Sequence, residues 1–329
     1  LHTAYRRQRQ MCIRDSYNIL FFYRKDRTES MIIIRVMGGL GNQMQQYALY
    51  EKFKALGKET RLDTSWFDNA SMQEKVLARR SLELRLFDNL TFEACTPQER
   101  ETLLGKEGFF NKLERKLFPS KNKHFYESEM FHPEIFKLDN AYLEGHWACE
   151  KYYHDIMPLL QSKIIFPQTD NIQNNKLKNK MKSENSVSIH IRRGDYLDPE
   201  NAAMFGGICT ESYYKSAEGY IRDRVTNPHF YLFSDDPAYL REHYKGEEYT
   251  VVDWNHGADS FYDMELMSCC RHNICANSTF SFWGARLNRT EEKIVIRPAK
   301  HKNSQHIEPE RMHELWENWV VIDEEGRIV

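Results

Sequence analysis

Residues 186–196 read SVSIHIRRGDY, and this stretch decides how the second half of the chain is interpreted. Apolar and polar residues alternate from Ser186 to Arg192, and the apolar ones are β-branched, which predicts a β-strand. The strand runs directly into two arginines, a glycine and an aspartate. Because ligands of open parallel sheets bind beyond the carboxyl ends of the strands, the stretch predicts a ligand site where this strand ends.

Strands and helices alternate through the rest of the second half. Four more strands are predicted, at residues 229–233, 249–252, 272–276 and 293–296. Between them, Thr210 is expected to cap one helix and Pro237 to open another, because their side chains suit those positions. Further helices are predicted over 261–270, 282–287 and 309–319. Strands that alternate with helices imply an α/β fold with a doubly wound parallel sheet.

The first half has a strand, a glycine loop and a helix of its own. Residues 32–36 predict a buried strand that leads into residues 38–43, GGLGNQ, and then a helix that Gly57 ends. We expect an N-terminal domain over residues 31–170 and a C-terminal domain over 171–329, with a polar linker around residues 168–185. Residues 1–30 are basic and without a clear period, and are expected to be a non-native or disordered extension.

Composition narrows the class of protein. The net charge of the 329 residues is −2, which gives no reason to expect nucleic acid as a partner. No apolar run approaches the roughly 18 residues that span a bilayer. The seven cysteines form no C-x-x-C pair, which favours a reduced, cytoplasmic protein. A run of lysines between residues 176 and 182 indicates a solvated segment or, as a sharper hypothesis, peripheral contact with an anionic membrane.

Hydrogen-bonding side chains follow successive strands of the predicted C-terminal sheet. They are Arg192, Arg193 and Asp195 after the first strand, Asp235 and Asp236 after the second, Asp253 and Trp254 after the third, and Asn277, Ser278, Thr279 and Ser281, with Phe280 among them, after the fourth. Arginines donate charge-assisted hydrogen bonds to phosphate, and the N–H groups before a short helix attract anions. A carboxylate after the second strand would accept hydrogen bonds from guanine. The pattern favours a nucleoside diphosphate.

Four motifs resemble those of the bacterial α-1,2-fucosyltransferases of glycosyltransferase family eleven. They are GGLGNQM at 38–44, HIRRGDY at 190–196, FSDD at 233–236 and NSTFSFWGA at 277–285. The resemblance implies a GT-B-like fold, with two Rossmann-like domains facing a cleft. It also implies inverting transfer of L-fucose from GDP-L-fucose, without a metal or another cofactor. The acceptor implied is O2 of a terminal β-galactoside, in surface-glycan biosynthesis.

The resemblance also implies roles for individual residues. Arg192 would hold the β-phosphate, His190 and the aspartate of FSDD would lie near guanine, and the serines of NSTFS would contact phosphate. Residues of the glycine loop are expected to contact the donor as well: Gly39, Gly41, Asn42 and Gln43. The N-terminal domain would carry the acceptor, with Glu144, His146 and Trp147 as candidates. The general base is open among Asp195, Asp198, Glu200, Glu144 and His146.

Three competing functions are compatible with the sequence. Residues 39–44 half-fit the dinucleotide motif G-x-G-x-x-G, with Asp63 about 20 residues on, although Met44 replaces the third glycine. A dinucleotide-dependent oxidoreductase is therefore one of them. A second is a non-catalytic protein that binds nucleotide sugars or carbohydrates on the same fold. A third is a fucosyltransferase of another linkage, such as α-1,3 or α-1,6.

Overall fold

Two parallel β-sheets flanked by helices make up the protein, as a computed structural model describes it over residues 30–73, 80–104, 123–128, 131–304 and 309–329. The side chains of residues 71, 72, 195, 200, 309 and 310 are outside this description. The extension expected at residues 1–30 also lies outside the described residues, apart from Ser30.

The strands and helices have the following bounds. The strands are β1 Met31–Arg35, β2 Glu59–Asp63, β3 His124–Tyr126, β4 Ala141–Glu144, β5 Ser186–Ile191, β6 His229–Ser234, β7 Tyr249–Val252, β8 His272–Ile274, β9 Val295–Pro298 and β10 Val320–Ile322. The helices are α1 Leu40–Ala55, α2 Ala70–Gln73, α3 Pro97–Leu104, α4 Met157–Lys163, α5 Ile172–Ser183, α6 Pro199–Phe205, α7 Glu211–Arg222, α8 Pro237–His243, α9 Tyr262–Cys269, α10 Thr279–Leu287 and α11 Pro309–Leu315.

The six-stranded C-terminal sheet is the doubly wound sheet that the sequence predicts. Its strand order is β10-β9-β8-β5-β6-β7, and all of its pairs are parallel. Chain order runs outward from β5 in one direction and from β8 in the other, which is the Rossmann arrangement. The α/β fold class is therefore confirmed. The crevice between the ends of β5 and β8 is the switch point at which such sheets bind ligands.

The N-terminal sheet is smaller and also parallel. Its order is β2-β1-β4-β3, so β1 lies between β2 and β4. The buried β-branched residues Ile32, Ile33 and Ile34 fill the centre of β1. The chain leaves β1 through Gly38, whose φ of +80° suits glycine, and enters α1 at Leu40.

Two parts of the prediction need correction. The expected linker contains helix α5, and the fifth predicted strand is followed by a sixth, β10. The buried face of α5 comprises Asn174, Leu177 and Met181, so only two apolar residues mark it in the sequence. Asn174 is held by Asn255 and by Trp254 Nε1 (2.7 Å), a tertiary contact that overrides the polar composition.

One apolar core joins the two halves. Trp147, Tyr152 and Tyr153 from the first half share it with Trp283 and Trp316 from the second. The rings of Tyr153 and Trp283 stack with their centroids 5.9 Å apart. Helix α11 also closes on the first half, since Cys149 Sγ donates to the carbonyl oxygen of Leu315 (3.7 Å). The halves are therefore packed into one body. In the described part of the chain, no helix is long and apolar enough to cross a membrane.

Glycine at position 41 lets the two halves approach each other closely. A Cβ atom there would lie 2.5 Å from the carbonyl carbon and Oγ1 of Thr279 and 2.7 Å from the backbone nitrogen of Phe280. Real Cβ contacts are longer, and two of these atoms belong to backbone. The start of α1 therefore packs directly on the start of α10, with no room for a side chain between them.

Asp63, the acidic residue of the half-fitting dinucleotide motif, lies at the end of β2 with its side chain engaged in the protein. Tyr142 Oη donates to Asp63 Oδ2 (2.6 Å), and the backbone N–H of Ser65 donates to Oδ1 (3.0 Å). Burial by itself raises the pKa of Asp63, but the hydrogen bonds from Tyr142 and Ser65 and the charge of Arg100 outweigh it. Its pKa therefore lies below the ordinary value, and this geometry does not favour a dinucleotide-dependent oxidoreductase.

The depressed pKa of Asp63 predicts a pH-dependent contribution to stability. The contribution is present above the unfolded-state pKa of about 3.9 and is lost as the pH falls through the lower folded-state pKa. At pH 7, Asp63→Asn should lower the free energy of unfolding by about 1–3 kcal/mol, and the difference from the wild type should shrink below about pH 4. Urea unfolding across this range measures it, with exposed Asp68→Asn as control. A pH-independent difference would contradict the assignment.

Because Gly41 lies so close to Thr279 and Phe280, we predict that even the methyl group of alanine at position 41 destabilises the fold. Gly41→Ala should lower the free energy of unfolding by about 1–3 kcal/mol, because Thr279 and Phe280 must move away. Gly219→Ala is the matched control: it lies in α7, and its added Cβ meets nothing within 4 Å. Urea unfolding of both variants distinguishes them. Equal stability of the two would show that the halves do not meet as described.

Candidate active site

A cleft with a volume of about 450 Å³ lies where the two halves meet. It opens at the switch point of the C-terminal sheet and is closed on the other side by the glycine loop. Nine of the predicted donor-site residues line it: Gly39, Gly41, Asn42, His190, Arg192, Asp235, Ser278, Thr279 and Phe280. Two Rossmann-like sheets that face one cleft form the GT-B-like arrangement.

Arg192, the first residue after β5, is held by Asp235. Arg192 Nη1 lies 2.8 Å from Asp235 Oδ2, and both side chains are about one-quarter exposed. The other oxygen, Asp235 Oδ1, accepts from the backbone N–H groups of Arg193 (2.9 Å) and Gly194 (3.0 Å). One carboxylate thus fixes both the guanidinium and the backbone that carries it. The interaction places a positive charge at the wall of the cleft.

Arg193 and Asp236 form a second pair that stands outside the lining of the cleft. Asp236 Oδ1 accepts from Tyr239 N–H (3.1 Å) and so caps α8, while Asp236 Oδ2 accepts from Arg193 Nε (3.1 Å). The guanidinium of Arg193 lies 3.8 Å from the ring centroid of Tyr239. Both aspartates expected near guanine are therefore engaged within the protein, and Asp236 supports the segment rather than lining the cleft.

The start of α10 points two hydroxyl residues at the cleft. The helix begins at Thr279, three residues earlier than predicted, and Ser278 is its N-cap residue without a side-chain capping bond. The first N–H groups of a helix lack partners inside the helix and attract anions. Ser281 lies inside the helix, and its hydroxyl donates to the carbonyl oxygen of Ser278 (3.0 Å). Ser278 and Thr279 line the site, and Ser281 does not.

The start of α1 already has an anionic partner. The carboxylate of Glu83 accepts a hydrogen bond from the backbone N–H of Leu40. Burial raises the pKa of Glu83, against the opposing effects of Arg80 and of that hydrogen bond. The glycine loop therefore contributes surface and close packing to the cleft. The positive end of the α1 dipole is already balanced by the carboxylate of Glu83.

His190 contributes a buried imidazole to the same wall. It is 6% exposed, and its Nδ1 has no hydrogen-bond partner within the described residues. Its ring centroid lies 5.9 Å from that of Phe280. Burial lowers the pKa of His190, and the charge of Arg192 lowers it further. At neutral pH the imidazole is uncharged and can form hydrogen bonds with a ligand.

Asp263 is a carboxylate of the cleft that strand-end reasoning misses. It lies on α9, and Asn255 Nδ2 donates to its Oδ1 (2.8 Å). Burial raises the pKa of Asp263 to about 7, despite that hydrogen bond. Asn255, His256, Gly257 and Ser260 line the cleft beside it. The only hint of Asp263 in the sequence is the polar loop 253–260 that follows β7 and leads into α9. Asp263 lies beyond this loop, too far from the end of the strand for a strand-end rule to select it.

Two other predicted donor residues, Asn277 and Gln43, form hydrogen bonds within the protein. Asn277 Nδ2 donates to the carbonyl oxygens of Phe205 and His301 (3.1 Å each), which joins α6 and the loop after β9 to the end of β8. Gln43 Oε1 accepts from Glu83 N–H (2.8 Å), and its Nε2 donates to Gly38. Neither residue lines the cleft. Each instead holds a loop that does.

Of the acceptor-side candidates, Glu144 ends β4, and His146 and Trp147 lie in the loop that follows. Glu144 is bound by Arg35 Nη1 (2.5 Å) and His124 Nε2 (2.9 Å). Burial raises its pKa, but the hydrogen bond from His124 and the charge of Arg35 leave the pKa below its ordinary value. Glu144 is thus a paired carboxylate. Gln46 Nε2 donates to the carbonyl oxygen of Gly145 (3.0 Å) and so ties this loop to α1.

A strained turn presents His146 at the surface. Trp147 is fully buried yet has a φ of +55°, which is rare for a bulky residue. One oxygen of Glu127 accepts from the N–H groups of His146 (2.7 Å) and Trp147 (2.5 Å). Successive N–H groups around a carboxylate form an anion-binding nest, which stabilises the turn. Trp147 is therefore core, and His146 is the exposed member of the set.

The remaining general-base candidates are only partly described. The backbone of Asp195 belongs to a short 3-10 helix, Gly194–Leu197, and its side chain lies outside the described residues. The side chain of Glu200 does so as well, and Asp198 is the exposed N-cap residue of α6. These roles stay predictions.

Comparisons with known proteins give the family. The sequence model described as Glycosyl transferase family 11 matches residues 5–323. An alpha-1,2-colitosyltransferase of Escherichia coli is 30% identical over 82% of this chain and 92% of its own length. The O-antigen biosynthesis glycosyltransferase WbnK of the same organism is 32% identical over 80% and 92%.

A solved structure, that of NodZ alpha-1,6-fucosyltransferase, covers 79% of this chain and 93% of its own at 16% identity, with a TM-score of 0.44. The family model covers nearly the whole sequence, and two relatives match over more than two thirds of both chains. The protein is therefore a glycosyltransferase that belongs to glycosyl transferase family 11.

Proposed function

We propose that the protein transfers L-fucose from GDP-L-fucose to O2 of a terminal β-galactoside, with inversion at the anomeric carbon, in the synthesis of a surface glycan. The observation that carries the proposal is the Arg192–Asp235 pair, held at the switch point beside the start of α10. A guanidinium and the free N–H groups of a helix together suit a diphosphate.

The leaving group explains why these groups would be catalytic. As the bond between C1 of fucose and the β-phosphate oxygen breaks, negative charge grows on that phosphate. Arg192 and the Ser278–Thr279 turn would stabilise this charge from fixed positions, which lowers the barrier. The acceptor hydroxyl attacks C1 from the opposite face and loses its proton to a general base. Asp195, Asp198, Glu200 and His146 remain candidates for that base.

Recognition of guanine would fall to Asp263 and His190. An ionised Asp263 can accept hydrogen bonds from both the ring and amino N–H groups on one edge of guanine, whereas Asp235 is engaged with Arg192 and backbone. The uncharged His190, whose Nδ1 has no partner among the residues that the structure describes, offers a further polar contact. In this proposal Asp263 takes the role that the sequence suggests for Asp235 or Asp236.

Three related functions compete with the proposal. A relative is named a colitosyltransferase, so the first is transfer of colitose instead of fucose. The second is transfer to a different hydroxyl of the acceptor, and the third is binding of the donor without transfer. Incubation with GDP-fucose, GDP-colitose and a panel of β-galactosides, followed by linkage analysis of the product, decides among them. Transfer unaffected by EDTA would support a reaction without metal.

Contact with the cytoplasmic membrane stays a prediction. Helix α5 carries Lys176, Lys180 and Lys182 on exposed positions, and Ile172 is 68% exposed at its start. Such a face suits an anionic surface. Co-sedimentation with anionic and neutral vesicles would test this contact.

Arg192→Ala should leave the fold intact and reduce kcat by about 10²–10³-fold, because the charge on the leaving phosphate loses its main partner. Circular dichroism and a GDP-fucose turnover assay measure the two quantities. Arg224→Ala is the control, since Arg224 is an exposed arginine of the same sheet domain, stacked on Tyr220. Near-normal turnover of Arg192→Ala would overturn the assignment.

Because the pKa of Asp263 is raised to about 7, we predict that GDP binding depends on pH. Below about pH 7 its carboxyl is protonated in the free protein, and binding must release that proton. GDP affinity should therefore rise with pH up to about 7 and then level off. Asp263→Asn should lack this rise. GDP itself also titrates, but its titration affects both proteins equally and cancels when their pH profiles are compared. Calorimetry measures it, and identical pH profiles would exclude Asp263 from the guanine site.

A further inference from the structure

Arg80 lines the cleft from the N-terminal half, whereas Arg192 lines it from the C-terminal half. A Cβ atom at Gly39 would lie 3.8 Å from its Cζ and Nη1 atoms, so the guanidinium packs against the glycine loop. It is one of two arginines in the lining, and the other is Arg192. Strand patterns in the sequence do not reveal it, because Arg80 follows no predicted strand.

The backbone of Arg80 is fixed on both sides. Gln73 Oε1 accepts from Arg80 N–H (2.9 Å), and Gln73 Nε2 donates to the Arg80 carbonyl oxygen (3.1 Å). The next residue, Ser81, accepts from Gln43 Nε2 (2.9 Å), which belongs to α1. Gln43 and Gln73 are buried amides. Two buried side chains therefore hold this short segment against the glycine loop.

Arg80 forms no ion pair in the described ranges, whereas Arg61 and Arg100 of the same half are each paired with a carboxylate. The charge of Glu83 interacts with that of Arg80, but its carboxylate forms no ion pair with Arg80 and accepts a hydrogen bond from Leu40 N–H at the start of α1. Arg192, by contrast, forms a direct ion pair with Asp235. The N-terminal wall thus offers a cation that the described part of the protein leaves without an ion pair, facing a cleft built for a ligand.

A nucleotide sugar carries a negative charge on each phosphate, and the departing GDP carries more. Arg192 alone, already paired with Asp235, balances only part of this charge. We propose that Arg80 binds the diphosphate of the donor from the N-terminal half, so that the diphosphate bridges Arg80 and Arg192 across the cleft. This inference rests on the proposed function, because it assumes a nucleoside diphosphate in the cleft.

The test compares GDP with guanosine, which lacks phosphate, by calorimetry at low and high salt. Arg80→Ala and Arg80→Gln should each weaken GDP binding at least about tenfold, and should leave guanosine binding unchanged. The salt dependence of GDP binding should also become shallower, since one charged contact is gone. Arg80→Lys should recover part of the affinity, because it keeps the charge but not the paired donors.

Arg85→Ala is the matched control. Arg85 is exposed on the neighbouring 3-10 helix Glu83–Leu86 and stands outside the lining of the cleft. Its GDP affinity should equal that of the wild type. If wild type binds GDP and both Arg80 variants bind it equally well, the role of Arg80 is overturned and the proposed function stands. If wild type binds neither GDP nor guanosine, the proposed function itself fails.

Discussion

The structure depends on the contact between Gly41 and the Thr279–Phe280 backbone. This contact brings the starts of α1 and α10 to the same place, and the cleft forms around it. A helix start approaches another so closely where no side chain intervenes, so glycine is the residue that position 41 holds without displacing Thr279 and Phe280. With a larger residue there, the glycine loop would not close the cleft at the end of β5.

Charges around the cleft are arranged in pairs before any ligand arrives. Asp235 offsets Arg192, and Glu83 meets the dipole of α1. Such pairing keeps buried charges in place at tolerable cost, because an isolated charge in a half-buried site is strongly disfavoured. The unpaired groups stand out against this background. Within the described residues they are the first N–H groups of α10, Nδ1 of His190 and the guanidinium of Arg80, and each leaves hydrogen-bonding capacity for a ligand in the cleft.

Sequence reasoning succeeded where local pattern and topology agree. The parallel strands and the placement of Arg192 beside Ser278 follow from alternation and from the rule that ligands bind at strand ends. It failed where tertiary contacts decide. Helix α5 has a buried asparagine in place of an apolar residue, and Asp236 caps a helix and is not among the residues that line the cleft. Asp263 and Arg80 reach the cleft from a helix and an irregular segment, which no strand pattern marks.

The shared core of the two halves bears on how the protein moves and unfolds. Domains that meet through small polar surfaces swing independently, but here aromatic residues such as Tyr153, Trp283 and Trp316 fill one apolar interior. Opening the cleft widely would expose these rings to water. The enzyme should therefore behave as a single cooperative unit, in which substrates enter and products leave through small adjustments of loops, and neither half persists in a folded form after the other has melted.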